Sequence, residues 1–250
     1  MELPRLEVLV WSDDALGADL VPPAAALHPH GVAASVAAAL RAELGEAAHV
    51  LTAGLHEPEQ GLAEERLAAA DVLVWWGHEA HDEVTEQTVE RVQRHVLDGL
   101  GLVVLHSGHH SKVFRRLLGT SCDLAWREGG GDEELIWTLD PAHPIAAGVE
   151  QPIRLGRHEV YGEPFDIPAP DALVFVSAFT GGEVFRSGCC FQRGGGRIFY
   201  FSPGHETDPV YEHPQVRRVL ANGVTWARAG ERRPPLPHGG SEVAPAWGTR

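Results

Sequence analysis

Basic residues are scarce in this chain. Lys and Arg total 20 against 35 Asp and Glu, a formal charge of −15. That balance excludes the basic stripe that phosphate backbones require, so nucleic acid is not an expected partner. It also repels acidic membrane surfaces. Cysteine is rarer still: Cys122, Cys189 and Cys190, the last two adjacent and none in a CxxC pair. An odd count without framework spacing excludes a disulfide scaffold. No run approaches the ~20 apolar residues of a membrane span. The opening residues Met1 to Glu7 lack the pattern of a signal peptide, and the apolar run at 8–11 is too short for a signal core. A reducing cytoplasm is the expected location.

What is present is a long, apolar-rich chain with an excess of histidine. It has 250 residues, 44% of them hydrophobic, and 15 histidines. A chain of this length buries roughly three quarters of the surface its unfolded form exposes. One α/β domain over 1–230 is expected, followed by a Pro/Gly-rich tail over 231–250.

The first half alternates buried apolar runs with helical patterns. Strands are expected at 6–11, 50–53, 72–76 and 102–105, and helices at 31–44, 63–70, 84–97 and 111–118. Ser111 is the expected N-cap of the last helix, with Gly119 beyond its end. Apolar runs bounded by Gly, Asp and His and alternating with helices imply βαβ units and a parallel sheet. The second half changes texture, with strands expected at 135–139, 173–178, 183–187, 190–193 and 198–201. Gly181-Gly182 and Gly194-Gly195-Gly196 break them as hairpins do. A helix closes the pattern at 214–227. The expected fold is a doubly wound, mostly parallel sheet with antiparallel strands added late.

Ligands on open α/β sheets bind beyond the carboxyl ends of the strands. Three expected strands run directly into histidine there. The run at 72–76 leads to His78 and His81, the run at 102–105 to His106, Ser107 and His109, and the run at 198–201 to His205 and Glu206. His106-Ser107-Gly108 has the shape of a nucleophile elbow, a strand passing through a tight glycine turn into a helix. The apex falls on His106 or Ser107. His78 and His81 sit at a helix entry with Asp82 as candidate N-cap, a spacing that suits two metal ligands or a ligand and a proton shuttle. Glu159, beside His158, is a candidate carboxylate ligand or general base, and Tyr161 a candidate hydrogen-bonder to substrate. Trp75 and Trp76 are consecutive in a strand and face opposite ways. One belongs to the core, and Trp76 is the candidate for stacking on a sugar ring.

Several blocks, in order, resemble the trehalose-utilisation, ThuA-like family. They include Glu57-Pro58-Glu59-Gln60-Gly61-Leu62, Val74-Trp75-Trp76-Gly77-His78 and Val104-Leu105-His106-Ser107-Gly108-His109. Tyr161-Gly162-Glu163, Glu183-Val184-Phe185-Arg186-Ser187-Gly188 and Pro203-Gly204-His205-Glu206 follow. The resemblance implies the class I glutamine-amidotransferase-like fold, whose members normally carry a cysteine at the elbow and a His-x-Glu-like pair after the last core strand. Here neither register of the elbow supplies cysteine, so glutaminase-type thiol chemistry is not expected. His205 matches the family histidine. The family name implies catabolism of a disaccharide or keto-sugar.

These readings combine into one expectation. A divalent metal, zinc above others, is held by His78, His106, Glu159 and His205 and assists isomerase, lyase or hydrolase chemistry on a carbohydrate. His106, His109, His205 and Glu206 carry catalysis, and His81, Ser107, Tyr161 and Trp76 bind substrate. A sugar-binding protein without catalysis, and a serine hydrolase built on Ser107 and His205, are the alternatives. The apolar helices and Pro-rich tail are compatible with a homo-oligomer.

Overall fold

The computed structural model describes residues 5–13, 22–156 and 159–228. The expected tail at 231–250, and His158, lie outside the described residues.

The first half forms β1 (Leu6–Ser12), α1 (Pro22–Leu27), α2 (Val32–Leu44), β2 (Ala48–Gly54), α3 (Glu64–Ala69), β3 (Val72–Trp76), α4 (Glu86–Leu97), β4 (Gly101–Leu105) and α5 (Lys112–Leu118). Every residue of β3 and β4 is buried. Such apolar runs belong to central parallel strands covered on both faces. On one face, Val10, Val74 and Val103 pack under α2 and the closing helix. On the other, Leu9, Leu73 and Leu102 pack under α3, α4 and α5. Ser111 caps α5 by accepting from the Phe114 N–H, and Gly119 ends it at φ 75. Both ends match the sequence reading. The start of α4 does not: Thr85, rather than Asp82, is the N-cap, because its hydroxyl accepts from the Thr88 N–H. His81–Glu83 form a separate 3-10 turn before it.

The second half forms β5 (Ala125–Arg127), β6 (Glu133–Thr138), β7 (Ile153–Gly156), β8 (Val160–Gly162), β9 (Ala172–Phe179), β10 (Val184–Arg193), β11 (Gly196–Phe201) and α6 (Pro214–Ala227). The strands expected at 183–187 and 190–193 are one strand, β10. Its pairing with β9 shifts register on either side of Gly188, where a bulge interrupts the ladder without ending the strand. A Cβ at Gly188 would run into the Phe175 side chain.

The main sheet has the order β2-β1-β3-β4-β11-β10-β9-β6-β7, and β5 pairs with β8 in a separate two-stranded ribbon. Strands β2, β1, β3, β4 and β11 are mutually parallel. Strands β10, β9, β6 and β7 extend the sheet antiparallel. The carboxyl ends of β3, β4 and β11 are therefore neighbours on one edge, and the three histidine-bearing loops meet there.

Candidate functional site

Beyond β4 the chain turns at His106, which takes the left-handed conformation at φ 49. A β-carbon in that region is costly and persists where the surroundings enforce it, often at functional sites. The elbow apex is thus His106, and Ser107 follows it. Gly108 lets the turn lie against the sheet, since a Cβ there would sit 3.0 Å from Val104 Cγ1. The elbow runs on as a 3-10 turn through His110 before α5 begins, so the helix does not start at the apex.

His106 is 1% exposed. Its Nδ1 donates to the Ser202 carbonyl at 3.0 Å. A carbonyl only accepts, so Nδ1 carries a proton and Nε2 is the ring nitrogen left to face the site. A backbone carbonyl held on one ring nitrogen in this way fixes the ring and turns the other nitrogen toward a metal. Glu159 Oε2 and the Tyr161 hydroxyl both lie 3.4 Å from that Nε2. The Tyr161 ring stacks on the imidazole at 5.2 Å and 8°. Burial, with Glu159 beside it, pushes the Tyr161 phenol well above its usual range, so it stays a donor. Burial would raise Glu159, but His106 and His205 outweigh it and hold the carboxyl low.

His78, His106, His205 and Glu206 each offer one ligand atom, and the four atoms lie within 4.8 Å of one another. His78 Nδ1 and Glu206 Oε2 are 3.0 Å apart, within ion-pair range. Their approach is off the hydrogen-bonding direction, and neither buried atom has a hydrogen-bond partner among the described residues. Burial resists charge on both. The mutual attraction prevails, raising His78 and lowering Glu206 to about 2, with His205 adding to the latter. Burial and the field of His106 lower His205. Thr207 donates its backbone N–H to His205 Nδ1 at 3.2 Å and places its hydroxyl 2.8 Å from the same nitrogen, which therefore accepts.

The carboxylate in this four-group set is Glu206, where the sequence reading put Glu159. Glu159 stands instead at the outer side of His106 with Tyr161. His109 is 2% exposed, its Nδ1 donates to the Cys122 carbonyl at 2.8 Å, and burial keeps it neutral. His81 lies 6.1 Å from His110, and burial, with the fields of His110 and His78, lowers it to about 4. Ser107 donates its hydroxyl to the Gly77 carbonyl at 2.7 Å and makes no bond to His205 among the described residues. Trp76 does not offer a stacking face. It is 1% exposed, packs in the core, and gives its indole N–H to the Gly204 carbonyl at 3.0 Å. Both faces of this central strand are covered, so alternation could not place either tryptophan at the surface.

Two supporting residues escaped the sequence reading. Asp13, just after β1, accepts from the His78 N–H at 2.8 Å and the Ala80 N–H at 3.0 Å, pinning the loop that carries His78. An acidic residue at the carboxyl end of a first strand was the available signal. Ser202 holds His106 through its backbone carbonyl, which no side-chain pattern reveals.

An open sheet with a strained elbow after its fourth strand and histidine after its last parallel strand has the class I glutamine-amidotransferase-like fold, with His106 at the elbow apex. The chain belongs to the trehalose-utilisation family, ThuA, whose model matches residues 7–227. It is similar in structure to a ThuA-like protein of Parabacteroides merdae, at 15% identity, TM-score 0.64 and 94% coverage of each chain. A cytoplasmic protein of Salmonella typhimurium aligns at 15% identity and TM-score 0.56, over 90% of this chain and 100% of that one. PurLQS from Thermotoga maritima aligns at 11% identity and TM-score 0.52, over 89% and 99%. No curated protein matches the sequence at a significant level. No described helix is long and apolar enough to cross a membrane.

Proposed function

We propose that this protein is a metal-assisted enzyme of carbohydrate catabolism, acting on a disaccharide or keto-sugar in the cytoplasm. The observation that supports it best is the four-donor cluster at the strand ends, in which the buried His78 Nδ1 and Glu206 Oε2 stand 3.0 Å apart with no hydrogen-bond partner among the described residues. Buried polar groups are rarely left so, and binding a cation is one standard way to satisfy them. Three imidazoles and a carboxylate suit zinc or another borderline divalent cation. Bound there, such an ion would polarise a sugar carbonyl or acidify a water.

The chain's own groups divide the remaining work. His78, His106, His205 and Glu206 bind the cation, with Ser202 and Thr207 orienting two of the rings. Glu159, ionised and beside His106, is the group positioned to take a proton from substrate. Tyr161, held protonated, donates a hydrogen bond to a sugar oxygen. His109, neutral and buried behind Tyr161, relays a proton or props that ring. Family membership supports carbohydrate as the substrate class. The composition and the description of the Salmonella neighbour support the cytoplasmic location.

The test is metal analysis of untagged protein by inductively coupled plasma mass spectrometry. The reading expects about one zinc, manganese or nickel ion per chain. A chain that stays metal-free after incubation with each cation overturns the metal-assisted mechanism and leaves imidazole catalysis or sugar binding alone.

A further inference from the structure

With Trp76 buried, the aromatic surface a sugar ring needs has to come from elsewhere. Trp126 is 60% exposed, the most exposed large hydrophobic side chain among the described residues. Its indole makes no ring contact or side-chain hydrogen bond with any of them. Single exposed apolar residues are ordinary. The position of this one is not.

Trp126 lies in β5 and pairs directly with Tyr161 of β8. Directly opposed residues of an antiparallel pair share a face, with Cβ atoms about 5 Å apart. Tyr161 uses that face to stack on His106 and, with Glu159, to approach its Nε2. The segment entering β5 runs along the same wall. The Cys122 carbonyl accepts from His109, and Asp123 Oδ1 stands 3.9 Å from His110 Nδ1. Trp126 is therefore one cross-strand step outward from a site residue, on the site's face, with its indole in solvent.

We propose that Trp126 is the stacking platform for a pyranose ring whose neighbouring unit reaches His106 and Glu159. A pyranose has an apolar C–H face and a rim of hydroxyls. It matches a flat indole beside convergent polar groups, the usual composition of a small-molecule site. Trp126 is a specificity-determining residue, retaining substrates with a second ring. The inference rests on the carbohydrate reading above.

The test is calorimetric titration with trehalose of wild type, Trp126→Ala, Trp126→Phe and a surface control, Trp137→Ala. Trp137 is 43% exposed on β6, which runs opposite to β11 and carries it away from the site edge. The expected result is a Kd about tenfold weaker in Trp126→Ala, the size of one aromatic contact. Trp126→Phe should recover most of the affinity, and Trp137→Ala should bind as wild type does. Circular dichroism and melting should not distinguish the variants, since an exposed ring carries little packing. Wild-type affinity in Trp126→Ala overturns the platform and leaves the carbohydrate reading standing. Failure of wild type to bind trehalose at millimolar concentration removes the carbohydrate reading and the platform with it.

Discussion

Trp76 donates its indole N–H to the carbonyl of Gly204 at 3.0 Å, across 128 positions of sequence. The bond ties the loop after β11, which carries His205 and Glu206, to the strand that delivers His78. Tyr211 adds its hydroxyl to the same carbonyl at 3.3 Å. A tryptophan expected to touch sugar instead fixes the distance between two of the proposed ligands.

Gly204 is confined by that arrangement. Its φ is 150, and a Cβ would collide with the Tyr211 hydroxyl and sit 3.1 Å from His106 Cβ. Gly204→Ala is expected to lower stability by about 2 kcal/mol in urea unfolding. Adding Tyr211→Phe removes the nearest obstacle and should recover part of the loss. Strictly additive costs in the double variant would contradict this account.

His106→Ala and His205→Ala should each abolish metal retention after dialysis and any turnover, with far-UV circular dichroism unchanged. A loss of at least a hundredfold in kcat/KM is expected for a ligand that also bounds the reacting group. Two variants that keep the ion and turn over substrate at wild-type rates would show the site is elsewhere.

Ser107→Ala should be nearly silent in activity, because its hydroxyl serves the Gly77 carbonyl. Removing that bond should cost about 1 kcal/mol of stability. The protein should also resist labelling by a fluorophosphonate probe. Stoichiometric labelling that disappears in Ser107→Ala would revive a serine hydrolase.

Glu134 gives a pH signature independent of the site. It is 2% exposed in β6, and burial, opposed by the Ser177 hydroxyl, raises it from 4.5 to about 7. Between those values the folded protein holds a proton that the unfolded chain has released, so stability falls as pH rises through the window. Above it the penalty is complete. Glu134→Gln should therefore be more stable than wild type at pH 8, by on the order of 3 kcal/mol, with the gap closing toward pH 4. Parallel stability curves for the two proteins across pH 4–8 would refute the assignment.

The strands were legible where burial is continuous. Val72–Trp76 and the histidines after three strands stood out because apolar runs and their polar ends are local features. Three-residue strands such as Val160–Gly162 exist through pairing with Ala125–Arg127, and no local pattern announces them. The same limit applied to the ligands. Sequence proximity placed Glu159 and Glu206 near histidines, but only the loop after β11 determines that Glu206 meets His78. Trp126 passed unread because its significance lies in the residue across from it.

The sheet order carries a last consequence. Strand β11, though near the end of the chain, lies between β4 and β10. During translation, a chain not yet extended to residue 196 therefore consists of two partial sheets with open edges facing one another. Open edges invite pairing with other chains. His205 and Glu206 emerge just behind the strand that closes the gap. Placing β11 is expected to complete the histidine cluster and cover both open edges together, and a truncation before β11 is expected to aggregate instead of giving a weakened protein.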